Sequence, residues 1–363
     1  MITKLSIHNY KGFMNFEMEC GRIVFLMGRN GSGKSSLFDV LRALARVIHE
    51  GDLEVLFYAQ DRNRFADEPN MRFEVASQHG SSNFRYLLTV GFADKEKKPS
   101  IVREELLVDE LSVFLFKDGV VHNLGDASAL FPLNLQHGGL ALMGDRSALQ
   151  TLTTFKSWWR RFLLLRLTPA TVISEARKPI STLSVDGSNF ADWYEGVTNA
   201  DTAVAVDYWN ALREVIPDLA SVNLTPMHRG KLFEVVLRAN GQRRPFALDE
   251  LSEGQISLMI HYAILHYCTR QGVTVALDEP DNYIALSELE PLIYAFEDAV
   301  HENSSQLFVI SHHPEFYNQW ARESDKCRYL ERVDGRFEAR TIDWDDHPGL
   351  TSAEVVARGW QDA

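Results

Sequence analysis

The segment GRNGSGKS, Gly28 to Ser35, follows the apolar run Ile23 to Met27 and precedes the apolar-periodic stretch Leu37 to Val47. A strand, a glycine-rich turn and a helix N-terminus in that order make a nest of backbone N–H groups aimed at phosphate. Glycine at 28, 31 and 33 permits positive φ and close backbone approach. Lys34 is placed to reach the β/γ phosphates of a nucleoside triphosphate and Ser35 to offer its hydroxyl to Mg²⁺, with Asn30, Gly31, Ser32, Gly33 and Ser36 lining the cradle. The pattern predicts a bound nucleoside triphosphate and an α/β core.

Such a loop needs carboxylates at a neighbouring strand end to serve the metal and the attacking water. Val273 to Leu277 reads as a buried parallel strand and ends in Asp278, Glu279 and Pro280. Asp278 is the candidate for Mg²⁺, through water, and Glu279 for polarising the hydrolytic water. Upstream, LSEGQ (Leu251 to Gln255) opens an apolar-periodic stretch, Ile256 to Tyr267. Ser252 and Gly254 thus stand at a second helix N-terminus, although a serine N-cap alone would account for the serine. A third strand-like run, Gln306 to Ile310, is followed by Ser311, His312 and His313.

Phosphate loop, LSEGQ, acidic strand end and histidine in this order resemble ABC-type ATPases. The resemblance implies ATP and Mg²⁺ as ligands, Ser252 and Gly254 as the signature that covers the γ-phosphate of a partner subunit, Glu279 as general base and His312 as γ-phosphate sensor. Within that superfamily the opening MITKLSIHNYKGF resembles the SMC, RecF and OLD group, which makes Asn9 and Lys11 candidates for the adenine end. Asp186 to Tyr194 (DGSNFADWY) and Leu277 to Leu286 (LDEPDNYIAL) look like compact prokaryotic "AAA family" ATPases of the OLD type. The chain departs from them at Ile284, Ala285 and Leu286, where Leu-His-Pro is usual. The glutamine that links γ-phosphate and metal to the helical lobe has two candidates, Gln136 in NLQHGG and Gln150.

The implied fold is an ABC-type ATPase head with an antiparallel β lobe, a parallel phosphate-loop core sheet and a helical lobe. Alternation in Met71 to Val75, Phe84 to Phe92, Leu106 to Val108 and Ser112 to Phe116 marks the lobe, with a charged turn at Asp94 to Lys98. Leu140 to Pro217 reads as mainly helical, and a strand pair follows around Leu224 to Phe246 with a turn at Asn240-Gly241. The chain divides on these grounds into 1–135, the first half of the core with its β lobe; 136–270, mainly helical and ending in LSEGQ; and 271–363, the second half of the core. Proline, glycine and strands in the middle leave no room for heptad-bearing arms. The tail after His313 is too short for a fused Toprim nuclease, and Asp343, Asp345 and Asp346 read as an exposed acidic loop.

A formal charge of −13 opposes indiscriminate nucleic-acid binding. Lys156, Arg160, Arg161 and Arg166 among Phe155, Trp158, Trp159 and Phe162 form a local basic and aromatic cluster, for which helical spacing favours a core role. Cys20, Cys268 and Cys327 have no metal-ligand spacing and suit a reducing cytoplasm as buried thiols. No apolar stretch approaches the ~20 residues of a membrane span.

Together these features imply an ATPase that dimerises or forms a higher homo-oligomer around ATP and acts as a sensor or scaffold in bacterial antiphage defence. Its output would pass through a separately encoded effector, such as a Toprim-type nuclease. The alternative is a RecF-like repair ATPase that clamps DNA, and a transporter ATPase subunit fits the opening and the length less well.

Overall fold

The computed structural model describes residues 1–92, 98–124, 131–134, 136–143, 150–268, 272–323, 325–342, 344 and 349–359. The charged turn, apart from Lys98, and Asp343, Asp345 and Asp346 lie outside them. Backbone contacts gather the chain into two compact units, one of Met1–Phe162, Trp320–Leu350 and Arg358–Ala363, the other of Leu163–Gln319 and Thr351–Ala357. These limits differ from the spans 1–135, 136–270 and 271–363, because spatial packing returns the C-terminal strands to the first unit.

In the first unit an antiparallel sheet runs in the order Phe16–Glu19, Ile2–His8, Met71–His79, Ser82–Phe92, Pro99–Val108, Leu111–Lys117, Val120–Leu124 and Phe131–Pro132. Period-two alternation decides its faces: Met71, Phe73 and Val75 are buried, as are Phe84, Tyr86, Leu88 and Val90. Helix Gln150–Arg160 presses on this sheet, with Phe155 stacked on Phe84 and Trp158 edge-on to His79. The basic and aromatic cluster is therefore largely core. Phe155, Trp158 and Trp159 are buried, and Lys156 gives its ammonium to the Met143 carbonyl at 2.6 Å.

Strand Ile23–Met27, buried at every position, pairs in parallel with Cys327–Val333, Phe25 opposite Cys327 and Met27 opposite Tyr329. Cys327–Val333 then turns through Asp334 and Gly335, both at positive φ, and pairs antiparallel with Arg336–Arg340. Burial pushes the Cys20 and Cys327 thiols up to about 12, which makes both inert.

The second unit holds three parallel strands, Leu163–Leu165, Thr274–Asp278 and Gln306–Ile310, in that order. Helix Glu253–Tyr267 is apolar around most of its circumference and correspondingly buried from Ile256 to Leu265. A smaller antiparallel sheet joins Glu175–Ala176, Lys231–Ala239 and Leu219–Pro226, with Gln242–Ala247 also on Lys231–Ala239. Asn240 and Gly241 turn that hairpin with φ of 52° and 76°, as two central residues of a type I′ turn must. Phe190, Trp193, Tyr194, Tyr208, Phe233 and Tyr267 fill this unit's aromatic core.

The expected helical character of 140–217 holds for Gly139–Leu142, Gln150–Arg160, Phe190–Ala200 and Ala203–Val215 but fails between residues 161 and 189. There the chain forms strand Leu163–Leu165 and irregular turns, because Pro169, Pro179 and Gly187 interrupt any helix and three leucines are too few to reveal a period. No described helix exceeds the 17 residues of Leu286–Glu302, and none is long and apolar enough to cross a membrane.

Candidate nucleotide site

Gly28, Gly31 and Gly33 adopt φ of 139°, 79° and 100°. Each needs glycine for a different reason. A side chain on Gly28 would overlap the Leu330 carbonyl, one on Gly33 would meet the Phe337 ring, and Gly31 has open space but a left-handed backbone. Helix Lys34–His49 starts directly after Gly33 and carries no acidic residue in its first turn, so nothing opposes an anion at its positive end. Lys34 is buried and folds back on the loop, donating to the carbonyls of Gly28 at 2.6 Å and Arg29 at 3.1 Å. Ser32 is buried too, and its hydroxyl has no hydrogen-bond partner. A buried hydroxyl left without a partner in this loop is a donor that a phosphate oxygen would satisfy. Asn30, Gly31 and Ser35 are exposed on the same loop, and Ser36 is half-buried.

Lys11, at φ 49°, gives its ammonium to Asp39 of the phosphate-loop helix at 2.8 Å and lies over the Tyr10 ring. Asn9 has a different task. Its fully buried amide donates to the carbonyls of Glu68 and Asn70 and accepts from the Asn63 N–H. That commits its donors and its acceptor to folding the segment 61–70, so Asn9 is not available to an adenine ring.

Gln136 is misplaced for a metal ligand. The adjacent His137 bridges to Asp52 and the Gly138 N–H bonds the Gly51 carbonyl, both just past the C-terminus of helix Lys34–His49. At 1.5 Å per residue that is about 20 Å from Ser35 at the other end, beyond the reach of a glutamine. The NLQHGG segment is instead held by Glu104, whose buried carboxylate accepts from the Gly139 and Leu140 N–H groups and from Tyr86. Gln150 opens helix Gln150–Arg160 and is exposed.

In the second unit Asp278 ends a fully buried strand. Its Oδ2 accepts from Arg166, Nε at 2.6 Å and Nη2 at 2.5 Å. A carboxylate this buried needs a cation, and here a guanidinium supplies it; a hard divalent ion suits the same oxygen. Glu279 follows at φ 53°, an uncommon conformation for a side chain with a Cβ, held by its N–H bond to the Ile310 carbonyl. The His312 Nε2 lies 3.8 Å from Glu279 Oε1, and Ser311 donates to Asp281 at 2.6 Å. The acidic strand end and the histidine segment are therefore neighbours.

Ser252 caps helix Glu253–Tyr267: its hydroxyl accepts from the Gln255 N–H, and the Gln255 side chain accepts from the Ser252 N–H. The residue is exposed at the start of that helix. Gly254 has a packing reason as well, since a Cβ there would come within 2.7 Å of the Tyr283 carbonyl. Tyr283, at φ 73° and about half exposed, belongs to the turn after Glu279. The LSEGQ segment and the LDEPDNY turn thus touch within one unit. Arg166 and Phe337 carried no readable signal: one follows a strand of three residues, and the other lies far along the chain from the loop it packs on.

The family described as "AAA domain, putative AbiEii toxin, Type IV TA system" matches residues 23–119 and 173–318, more than half of the chain. No curated protein matches at a significant level. Among solved structures, an SMC head bound to the C-winged helix domain of ScpA is similar with a TM-score of 0.54 at 11% identity, over 96% of this chain and 99% of that one. An Smc head domain with an extended coiled coil, bound to the C-terminal domain of ScpA derived from Pyrococcus furiosus, gives 0.51 at 11% identity, over 99% of each. At such identities the likeness shows the fold, which is that of an ABC/SMC-type ATPase head. The chain is a P-loop ATPase-type protein and belongs to the AAA-domain family that includes putative AbiEii toxins of type IV toxin–antitoxin systems.

Proposed function

We propose that the chain binds ATP with Mg²⁺ at the Gly28–Ser35 loop, hydrolyses it and uses the cycle to join and release a second copy of itself. The observation that carries this reading is the loop: three glycines at positive φ, an orphaned Ser32 hydroxyl and an acid-free helix N-terminus. Lys34 leaves the carbonyls of Gly28 and Arg29 for the β/γ phosphates. Ser35 and Asp278 are the oxygens offered to Mg²⁺, which when bound neutralises phosphate charge. Glu279 takes a proton from the attacking water, and His312 stands beside Glu279 to read the γ-phosphate. Ser252 and Gly254 of a partner subunit close over the same phosphate, which the exposure of Ser252 supports.

The role we assign is a switch in antiphage defence, with a separately encoded effector, such as a Toprim-type nuclease, doing the damage. The family description, which places relatives among putative toxins of type IV systems, supports a defence setting. The solved heads of the same fold are bound to ScpA domains, and a protein partner on this head is a reading of the same kind. A net charge of −13 favours a partner with a basic face over DNA.

Equilibrium binding of ATP to wild type and Lys34→Ala tests the site. Loss of binding in the variant is expected, and near-normal affinity removes the assignment. Light scattering of Glu279→Gln with Mg-ATP should show a dimer that Ser252→Arg prevents, while a mass independent of ATP would sink the shared site.

A further inference from the structure

Asp278 is almost fully buried, with a side chain 5% exposed, whereas the Arg166 side chain is 48% exposed. The pair is set by strand register. Leu165 lies opposite Leu277 in the parallel pairing, so the next residue on each strand, Arg166 and Asp278, meet at the sheet's end. Both guanidinium contacts converge on one carboxylate oxygen, Oδ2.

The backbone behind Arg166 is tied to another element. Arg166 N–H bonds the Val185 carbonyl at 2.7 Å and Thr168 N–H the Asp186 carbonyl at 3.0 Å. Leu167 packs so closely on Gly187 that a Cβ there would lie 2.6 Å from its Cδ1. The loop it grips leads directly into helix Phe190–Ala200, with Ser184 and Asn189 bonded to each other across the entry. The backbone on either side of Arg166 is thus bonded to the loop that starts this helix.

We propose that Arg166 is the resident counter-ion of Asp278, that a nucleotide-borne divalent cation displaces it, and that the displacement is passed through the 184–189 loop to helix Phe190–Ala200. Arg166 is a positioning residue in this scheme. Its guanidinium keeps the buried carboxylate paired when no metal is present, and its exposed side has room to move into solvent. A divalent ion must compete with that resident charge, so the pair sets the metal concentration at which the site loads. The proposal rests on the nucleotide-site reading and adds a residue and a coupling to it.

The test uses the full chain with saturating ADP, Mn²⁺ as the probe, and free Mn²⁺ read by electron paramagnetic resonance. Arg166→Gln should bind Mn²⁺ on the order of tenfold tighter than wild type, because the competing charge is gone while a hydrogen-bonding side chain remains. Arg166→Lys, which keeps the charge, should stay near wild type. The gain should vanish when Asp278→Asn is added. Hydrogen exchange of residues 163–190 should rise when Mn²⁺ and ADP reach wild type and should already be raised in Arg166→Gln without them. Equal or weaker Mn²⁺ binding in a folded Arg166→Gln protein overturns the displacement while leaving ATP binding intact. A wild-type chain that binds neither ADP nor Mn²⁺·ADP overturns the nucleotide reading itself.

Discussion

The Phe337 ring lies against Gly33 so closely that a methyl group on Gly33 would stand 2.5 Å from its Cδ2. The contact joins the last turn of the phosphate loop to the hairpin Cys327–Arg340, and the same ring covers Gly12 and meets Phe13 edge-on. Gly33→Ala should therefore destabilise the protein by about 2–4 kcal/mol, through overlap with the ring and through strain at φ 100°. Phe337→Ala alone should cost about 1–3 kcal/mol, since the ring is half-buried. Urea unfolding of the double variant should show less than the sum, because removing the ring makes room for the methyl. Strict additivity would mean that the two do not share the space.

Glu279 combines a chemical assignment with an unfavourable backbone. Glu279→Gln should keep ATP affinity and lower turnover about 10²–10⁴-fold, the usual loss for a general base. Glu279→Gly should also be inactive yet more stable by about 0.5–1 kcal/mol, because glycine relieves the φ of 53°. Phosphate release and urea unfolding read the two effects separately. A Glu279→Gly protein that is less stable than wild type would show that its side-chain contacts outweigh the strain.

Glu104 gives a pH prediction. Burial raises its carboxyl to about 7, against the opposing hydrogen bonds from Tyr86, Leu140 and Gly139. In the unfolded chain it titrates near 4.5, so between these values the folded state holds more protons. Stability from this group is therefore present below about 4.5 and falls as pH rises to about 7. Glu104→Gln removes the titration, and its stability relative to wild type should grow by a few kcal/mol across that window. Thermal melts at pH 5 and pH 8 that differ equally for both proteins would refute the assignment.

Asn9 should behave as a folding residue. Asn9→Ala deletes bonds to Glu68, Asn70 and Asn63 and puts alanine at φ 59°. A loss of about 2–4 kcal/mol is expected. Trypsin should then cut faster at the exposed Arg62 and Arg64, and unchanged cleavage would show that the segment does not depend on Asn9.

The readable parts of the chain were those whose physics is local. The glycines of Gly28–Ser35 state their own backbone angles, Asn240-Gly241 states its turn, and the all-apolar Ile23–Met27 and Val275–Leu277 state their burial on both faces. Ser252 was readable both as a cap and as a signature residue, and the structure realises the cap. The unreadable parts depend on pairing across the chain. Nothing in LLLRL tells that Leu165 lies beside Leu277, so by sequence alone Arg166 groups with the cluster at Trp158 and Trp159. Gln136 is a candidate by residue type alone, which says nothing about the end of helix Lys34–His49 to which its neighbours are tied. The motif around Asn9 points to the nucleotide, whereas its carboxamide is committed to the fold.

The parallel pairing of Ile23–Met27 with Cys327–Val333 also sets a schedule for synthesis. Met27 and Cys327 are separated by 300 residues. At ~5–20 residues per second a ribosome needs on the order of 15–60 s between them. Throughout that interval the edge of Ile23–Met27 that Cys327–Val333 covers lacks its partner, and Gly33 lacks the Phe337 ring. A polypeptide that stalls before the hairpin emerges therefore carries the complete GRNGSGKS segment without the ring that packs on its last glycine.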